Sequence, residues 1–271
     1  MKQFKSLDDQ LDYLHKEKHV YFQDKKSAKM ILLNCNYYNL ISCGKVKYAL
    51  DIDKNSHKYN PCQFEEWHEY FLSDCRVSEY LMKNIIEFER VINSRTAYYL
   101  GKLIQSNPED NFLSSDERNQ IFNIIKSAEI KKLPVYSGEE SWKYITKMTF
   151  GQIREVLFWL INNKLDVFKL IVKGYPFLNE DFSTVIMRID NIKLLRNHLF
   201  HFTPINIYLG FSRRKDGTYR NKYRREAVNF IFNLSPDPII KQELKSIIKN
   251  ANKFNKLKNE DIKKQLVIKN N

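Results

Sequence analysis

Apolar side chains recur every three or four residues along most of the chain, which is the spacing of one face of an α-helix. The longest such stretch is Gln63–Gln105, with a candidate break near Ser73. Its second half places these side chains on one broad face: Val77, Tyr80, Leu81, Asn84, Ile85, Phe88, Ile92 and Arg95. Ser6 and Asp24 stand where the caps of two N-terminal helices are expected. The pattern therefore predicts an all-α protein.

The same spacing divides the rest of the chain into helices and connections. Further helices are predicted over Asp116–Lys132, Ser141–Met148, Phe150–Asn163, Leu165–Lys173, Asp181–Phe202, Arg225–Leu234 and Pro238–Leu257. A break is predicted at Asn34–Tyr38, a short extended piece at Val46–Leu50 and a loop at Asn55–Pro61. No internal repeat or Ser/Gly linker is visible. We predict an accessory N-terminal part (1–60), a helical domain (61–238) and a basic C-terminal helix or tail (239–271).

Glycine is scarce, since the 271 residues contain only seven, and no two of them are closer than seven positions. Loops that hold nucleotide phosphates need clustered glycines, because the backbone must approach the phosphate closely. The patterns G-x-G-x-x-G and G-x-x-x-x-G-K-[ST] are both absent. The ordinary nucleotide-binding α/β enzymes are thereby excluded, and any active site must be built from helix faces.

The net charge of +13 is concentrated near the C-terminus. Residues 1–212 carry 29 basic and 26 acidic side chains, whereas residues 213–225 carry seven and one. Residues 239–271 carry nine lysines and three acids. Such a field attracts polyanions, of which nucleic acid is the commonest large one. For residues 239–271 alone, a solvated lysine-rich terminus is an equal alternative.

The 213–225 segment mixes arginine with tyrosine, which suits phosphate contacts and base stacking. We predict that its side chains bind RNA, namely Arg213, Arg214, Lys215, Tyr219, Arg220, Lys222, Tyr223, Arg224 and Arg225. Arg95 lies on the apolar face of its predicted helix. It is therefore expected to meet either a buried partner or an RNA phosphate.

Other classes of site and location are disfavoured by the sequence. The four cysteines have no C-x-x-C spacing and no matching histidine pair, so no metal site is predicted, and no cofactor either. The first residues are polar, and the longest apolar run, Val156–Ile161, has six residues. We therefore expect a cytoplasmic protein with reduced cysteines and no membrane partner.

One constellation concentrates residues that could do chemistry: Arg196-Asn197-His198-Leu199-Phe200-His201. On a helix, Ile192, Leu195, Leu199 and Phe202 form one stripe that should pack on the core. Asn197 and His201 are four residues apart and project together on another side. Apolar Leu194 and Phe200 flank them, which suggests that this side meets another surface. The alternative is that Arg196 and His201 are ordinary surface residues of an amphipathic helix.

Four segments, taken in order, resemble one known family. Ile31–Leu40 resembles its "L-x-N-x-N-Y-Y-R-L" segment, and Glu89–Gly101 resembles its "E-R-I-E-x-x-x-R-T-x-x-x-Y-x-L-G" helix. Met148–Gly151 resembles its "x-S-F-G" helix start, and Leu195–His201 resembles "L-R-N-x-x-A-H". Together, over Leu7 to Leu234, the chain resembles the Abi-like (AbiD/AbiF) abortive-infection proteins of the HEPN superfamily.

The chain also departs from this family at two places. Phe202, Thr203 and Pro204 stand where the family often has a second histidine and a basic residue. Asn39 stands where the family has an arginine after its tyrosine pair.

The resemblance implies a HEPN-type helical bundle that dimerises and cleaves RNA without metal. It implies that Arg196 and His201 are catalytic, that Asn197 supports them, and that His198 is either secondary or a packing residue. The implied role is a toxin or effector of antiphage abortive infection, whose RNA partner could include a small noncoding RNA.

The sequence leaves two other classes of function open. One is a non-catalytic RNA-binding protein that forms a stable complex with a structured RNA. The other is a helical interaction protein that binds another protein and no nucleic acid.

Overall fold

The computed structural model describes residues 5–35, 37–52, 57–105, 116, 119, 141–162, 167–175, 181–210 and 222–270. Its principal helices are α1 Leu7–Lys18, α2 Lys25–Asn34, α3 Tyr37–Tyr48, α4 Phe64–Gln105, α5 Ser141–Ile145, α6 Phe150–Asn162, α7 Val167–Ile171, α8 Phe182–Phe200, α9 Ile205–Gly210, α10 Lys222–Asn233 and α11 Pro238–Asn270. Short strands are β1 Val20–Tyr21, β2 Ala49–Ile52, β3 His57–Tyr59 and β4 Cys62–Gln63. The predicted all-α class is confirmed.

The helix starts follow the capping residues in the sequence. The Ser6 hydroxyl accepts a hydrogen bond from the Asp9 backbone N–H, and the Asp9 carboxylate accepts one from the Ser6 N–H, which closes a capping box on α1. The Asp24 carboxylate accepts two backbone N–H groups at the start of α2. The break predicted at Asn34–Tyr38 is shorter than expected: α2 includes Asn34, and α3 already begins at Tyr37.

Three local predictions were wrong or incomplete. α3 continues to Tyr48, so Val46 to Tyr48 are helical, and only Ala49 and Leu50 of the predicted extended piece lie in a strand. That strand, β2, pairs antiparallel with β3, which lies inside the predicted loop. Pairing satisfies the backbone hydrogen-bonding groups of both segments. The hydrophobic periodicity of one segment does not reveal which other segment it pairs with. α4 runs unbroken past Ser73. Most of the predicted helix at 116–132 lies outside the described residues.

The chain folds into two compact units. One contains residues 1–82 and 195–271, and the other contains residues 83–194. This division differs from the predicted segments, since the N-terminal helices and the C-terminal helix belong to the same unit.

The first unit is built around α3, α9 and α11. α11 packs against α3, α9 and β2, with Leu244, Ile247, Ala251 and Phe254 buried. Trp67 of α4 is buried, and its indole N–H donates to the Leu40 carbonyl oxygen at 3.1 Å. β1 and β4 pair in parallel beside this core. The basic C-terminal segment is therefore an integral helix of this unit.

The second unit centres on the C-terminal half of α4 and on α6. Its buried side chains include Ile85, Phe88, Ile92, Phe150, Ile153, Leu157 and Leu160. Arg154 forms a bidentate ion pair with Asp190, with nitrogen–oxygen distances of 2.8 and 2.9 Å. The predicted apolar face of α4 is confirmed at Ile85, Phe88 and Ile92.

Candidate functional site

The predicted motif lies at the C-terminal end of α8. Asp181 caps the start of this helix as predicted, accepting the Thr184 backbone N–H at 3.1 Å. Leu195 and Leu199 are buried, as the stripe predicted, but Phe202 is 86% exposed. Phe202 was assigned to the buried stripe in error, because the helix ends at Phe200 and the chain turns away from it.

The turn after α8 places His201 at the surface. The N–H of Phe202 donates to the Leu199 carbonyl oxygen and that of Thr203 to the His198 carbonyl oxygen, each at 2.9 Å. This pair of bonds is the Schellman arrangement, which needs a left-handed residue after the cap. Phe202 supplies it with a φ of 53°. His201 is therefore the exposed capping residue of α8.

Asn39 of α3 holds this turn from outside the helix. Its side-chain amide donates to the Phe202 carbonyl oxygen at 2.9 Å. Asn39 belongs to the Tyr-Tyr segment that carries part of the family resemblance, at the position where the family has arginine. The structure thus brings that segment to the end of α8.

Arg196, Asn197 and His201 lie on adjoining ridges of the helix. The Arg196 Nη1 donates to the Asn197 Oδ1 at 3.5 Å, and its guanidinium carbon lies 4.2 Å from the centre of the Phe200 ring. The His201 backbone N–H donates to the Asn197 carbonyl oxygen at 3.1 Å. The Asn197 side chain therefore contacts Arg196, and His201 follows about one helical turn later.

The side of α8 that was predicted to meet another surface is partly open. Leu194 and Phe200 are each 43% exposed in this chain. Two half-exposed apolar side chains beside a polar cluster are compatible with a contact to a second chain or a ligand. The dimer stays a prediction.

His198 faces inward and packs on Tyr208 of α9. The two rings meet edge to face with their centres 4.9 Å apart, and Tyr208 is fully buried. Burial, and then the positive charges of Arg224 and His201, lower the pKa of His198. Among the described residues its buried Nδ1 has no hydrogen-bond partner. Packing is therefore the contact that the structure shows for His198.

Arg224 is partly a structural residue. Its Nη1 donates to the Tyr208 carbonyl oxygen at 2.7 Å, and its guanidinium carbon lies 4.8 Å from the centre of the Tyr208 ring. His198 therefore meets Tyr208 through its ring and Arg224 through its charge, which the sequence did not indicate. Arg224 ties the basic segment to α9 beside the motif.

Apart from Arg224 and Arg95, the predicted RNA-binding residues fall into two groups. Lys222, Tyr223 and Arg225 lie on α10, where the Lys222 ammonium is 5.7 Å from the centre of the Tyr223 ring. The residues outside the described part of the chain are Arg213, Arg214, Lys215, Tyr219 and Arg220.

Arg95 belongs to the other unit. Its Nη1 donates to the carbonyl oxygens of Ile171 and Lys173 at 3.2 and 2.6 Å, and its guanidinium carbon lies 5.4 Å from the centre of the Tyr175 ring. These contacts agree with the first of the two expectations for Arg95, a partner within the protein. An RNA contact by Arg95 stays a prediction.

Over the ranges that the structure describes, no group of three or more His, Cys, Asp or Glu side chains is arranged to hold a metal ion. None of the helices found in these ranges combines the length and apolar character of a membrane span.

Comparison of the chain with protein-family models, with curated proteins and with solved structures gave no significant match.

Proposed function

We propose that the protein is a metal-independent endoribonuclease whose site is formed by Arg196, Asn197 and His201. The observation that carries this proposal is the surface at the end of α8. There the Asn197 side chain accepts a hydrogen bond from the Arg196 guanidinium at 3.5 Å, and His201 is exposed four residues further along the chain. The family resemblance supports the same three residues.

The chemistry follows from the residue types. In RNA the 2′-hydroxyl attacks the adjacent phosphorus, the bond to the 5′-oxygen breaks, and the products are a 2′,3′-cyclic phosphate and a 5′-hydroxyl. A base must take the 2′-hydroxyl proton and an acid must give one to the departing oxygen. Histidine exchanges protons near neutral pH, so His201 is the proposed proton-transfer residue.

Arg196 and Asn197 supply charge and orientation. A guanidinium stays charged and can hold two phosphoryl oxygens while negative charge builds on them. The guanidinium carbon of Arg196 lies 4.2 Å from the centre of the Phe200 ring, and this packing restricts the orientation of the guanidinium. Since one chain offers a single motif, a homodimer would bring a second His201 to a shared cleft. One histidine could then act as base and the other as acid.

The decisive experiment is cleavage of single-stranded RNA by the purified protein in EDTA. Arg196→Ala and His201→Asn should each reduce the rate at least about 100-fold, as expected for loss of an acid–base or charge-stabilising group. Arg90→Ala and His19→Asn are matched controls: Arg90 is an exposed arginine, and His19 is the C-cap of α1. Cleavage that survives both site substitutions would reject the assignment.

The biological role that we propose is a toxin of an antiphage abortive-infection system. Induced expression of the wild-type chain in a bacterial host should then arrest growth, and His201→Asn should relieve the arrest. If both proteins arrest growth equally at equal abundance, the toxicity does not depend on His201.

A second candidate is a non-catalytic protein that binds a structured RNA. The observation that favours it is the Arg196–Phe200 pair, because an arginine on a half-exposed aromatic ring is suited to stacking with bases. RNA recovered intact after incubation would support this function. A 2′,3′-cyclic phosphate end would support the nuclease.

A further inference from the structure

Five lysines form one exposed stripe along α11: Lys241, Lys245, Lys249, Lys253 and Lys256. They are spaced by three or four residues, which keeps them on one side of the helix. At a rise of about 1.5 Å per residue, this lysine stripe is about 22 Å long. That length matches several consecutive phosphates of a nucleic-acid strand.

The orientation of the lysine stripe is fixed by the core. Leu244, Ile247, Ala251 and Phe254 are buried on the opposite side of α11, where the helix packs on α3 and α9. Asn255 also donates its side-chain amide to the Leu209 carbonyl oxygen at 2.9 Å. The lysines therefore project from a packed helix, not from a loose tail.

The positive charge of the stripe is not neutralised within the described part of the chain. None of the five ammonium groups forms an ion pair or hydrogen bond with another described residue. The one acid on this length of α11, Glu243, is held instead by Arg76, with nitrogen–oxygen distances of 2.6 and 2.9 Å. The neutral residues among the exposed lysines are Gln242, Ser246 and Asn252.

The stripe is next to the end of the basic 213–225 segment. The Arg225 Nη1 donates to the Asn252 Oδ1 at 3.5 Å. Asn252 directly precedes Lys253 and lies on the exposed side of α11. Arg225 therefore lies next to the lysine stripe.

We propose that the lysine stripe binds the phosphate backbone of RNA, a proposal that rests on the proposed function and extends its RNA surface to α11. The residues favour RNA over an anionic membrane. A helix that lies in a membrane interface inserts an apolar face, whereas the apolar face of α11 is buried in the protein. Lysine ammonium groups bind phosphates and do not distinguish bases, so the stripe would bind RNA without sequence specificity.

The test measures binding of a fluorescent 30-nucleotide 2′-O-methyl RNA to the full chain. This RNA lacks the attacking hydroxyl, so cleavage cannot disturb the measurement. The stripe variant is Lys245→Gln with Lys249→Gln and Lys253→Gln. Its matched control is Lys16→Gln with Lys25→Gln and Lys26→Gln, which removes the same charge from exposed positions on α1 and α2.

The stripe variant should lose roughly 10- to 100-fold in affinity at 0.1 M salt, and the slope of log affinity against log salt should fall by about 2. Both values follow from three lost phosphate contacts at about 0.7 per contact for a single strand. The control should change neither value to that extent. The thermal unfolding midpoint of each variant shows that the comparison is between folded proteins.

The remaining outcomes separate this proposal from the nuclease. If the wild type cleaves ordinary RNA but the stripe variant binds RNA as well as the wild type does, the RNA-binding role of the lysine stripe is rejected and the proposed nuclease is not. Stripe-dependent binding without cleavage supports the stripe and rejects the nuclease. Stripe-dependent binding to phosphatidylserine vesicles, with no binding to RNA, overturns the proposal in favour of a membrane surface.

Discussion

The side chain of Asn39 and the backbone of Phe202 are joined across 163 residues of sequence, by an amide-to-carbonyl hydrogen bond of 2.9 Å. Phe202 directly follows His201 and has a left-handed φ of 53°. The turn that presents His201 is thus held by the last hydrogen bonds of α8 on one side and by α3 on the other. Two elements that are distant in sequence fix the position of one candidate catalytic side chain.

Asn39→Ala should lower the free energy of unfolding by about 1 kcal/mol, because the exposed Phe202 carbonyl oxygen loses its side-chain hydrogen-bond donor. RNA cleavage should fall as well, since the turn after His201 loosens. Urea denaturation and initial cleavage rates give the two quantities. Asn34→Ala, at an exposed position at the end of α2, is the control for loss of an asparagine amide. Equal behaviour of the two variants would mean that the Asn39 contact is dispensable.

Phe202→Gly should stabilise the protein by about 0.5 kcal/mol. A non-glycine residue in the left-handed region is strained by about 1 kcal/mol, and glycine removes this strain. Part of the gain is offset because glycine loses more backbone conformational entropy on folding. Little packing is lost, because the Phe202 side chain is 86% exposed. Phe200→Gly, within α8, should instead destabilise by about 1 kcal/mol. A fall in stability for Phe202→Gly would show that its ring contributes contacts within the fold.

Gly44→Ala should be strongly destabilising, by about 3 kcal/mol or more, because overpacking of a rigid core cannot be relieved locally. A Cβ at this position would lie 0.9 Å from the Trp67 Nε1, and Trp67 is fixed by its bond to the Leu40 carbonyl oxygen. Gly101→Ala is the control, since its Cβ would meet its nearest neighbour at 3.5 Å. Chemical denaturation of both variants should show a loss only for Gly44→Ala.

The fold was predictable where a local rule decides the structure. The caps at Ser6, Asp24 and Asp181 and the apolar face of α4 were read correctly from spacing and side-chain chemistry. The pairing of β2 with β3 was not, because it depends on which distant backbone groups remain unsatisfied. Gly44 shows the same limit, since only the position of Trp67 explains why that residue has no side chain.

The candidate site was predictable along its own helix and not beyond it. Helix periodicity correctly predicted that Leu195 and Leu199 are buried, and it predicted Asn197 and His201 on a common side. The predicted helix was too long, however, so Phe202 was wrongly assigned to the buried stripe. The roles of Asn39 and Arg224 depend on contacts from α3 and α10 to the end of α8 and to α9. One sequence without paired changes carries no signal for such contacts.

Arg224→Ala should raise the pKa of His198, because the Arg224 charge helps to lower it. It should also destabilise the protein by about 2 kcal/mol, since the Tyr208 carbonyl oxygen loses a charged donor at 2.7 Å. Arg225→Ala is the matched control and should leave both values nearly unchanged. Titration of the His198 ring by NMR and urea denaturation supply the measurements. An unmoved His198 pKa would place Arg224 too far away to act on it.

Asp74 of α4 is fully buried and holds the start of α9. Its carboxylate accepts the backbone N–H groups of Ile205 and Asn206 at 2.6 and 2.9 Å and the Ser78 hydroxyl at 3.3 Å. Burial nevertheless outweighs these bonds and raises the pKa of Asp74 from 3.8 to about 6. The folded protein therefore binds this proton more tightly than the unfolded chain does.

A raised pKa in the folded state makes stability depend on pH in a definite direction. The contribution of Asp74 is fully present below about pH 4 and is lost as the pH rises through about 6, with a total of about 3 kcal/mol. His68 and His198, whose pKa values are lowered, also titrate in the folded protein. Asp74→Asn removes the Asp74 titration and leaves theirs in place.

Urea denaturation of the wild type and of Asp74→Asn between pH 4 and 7.5 isolates this effect. The asparagine cannot accept both backbone N–H groups, so the variant should be the less stable protein at pH 4. Its deficit should shrink as the pH rises, because only the wild type loses the proton of Asp74. A deficit that stays constant across this range would mean that Asp74 keeps one protonation state throughout, and the start of α9 would then be held by the same charge at every pH tested.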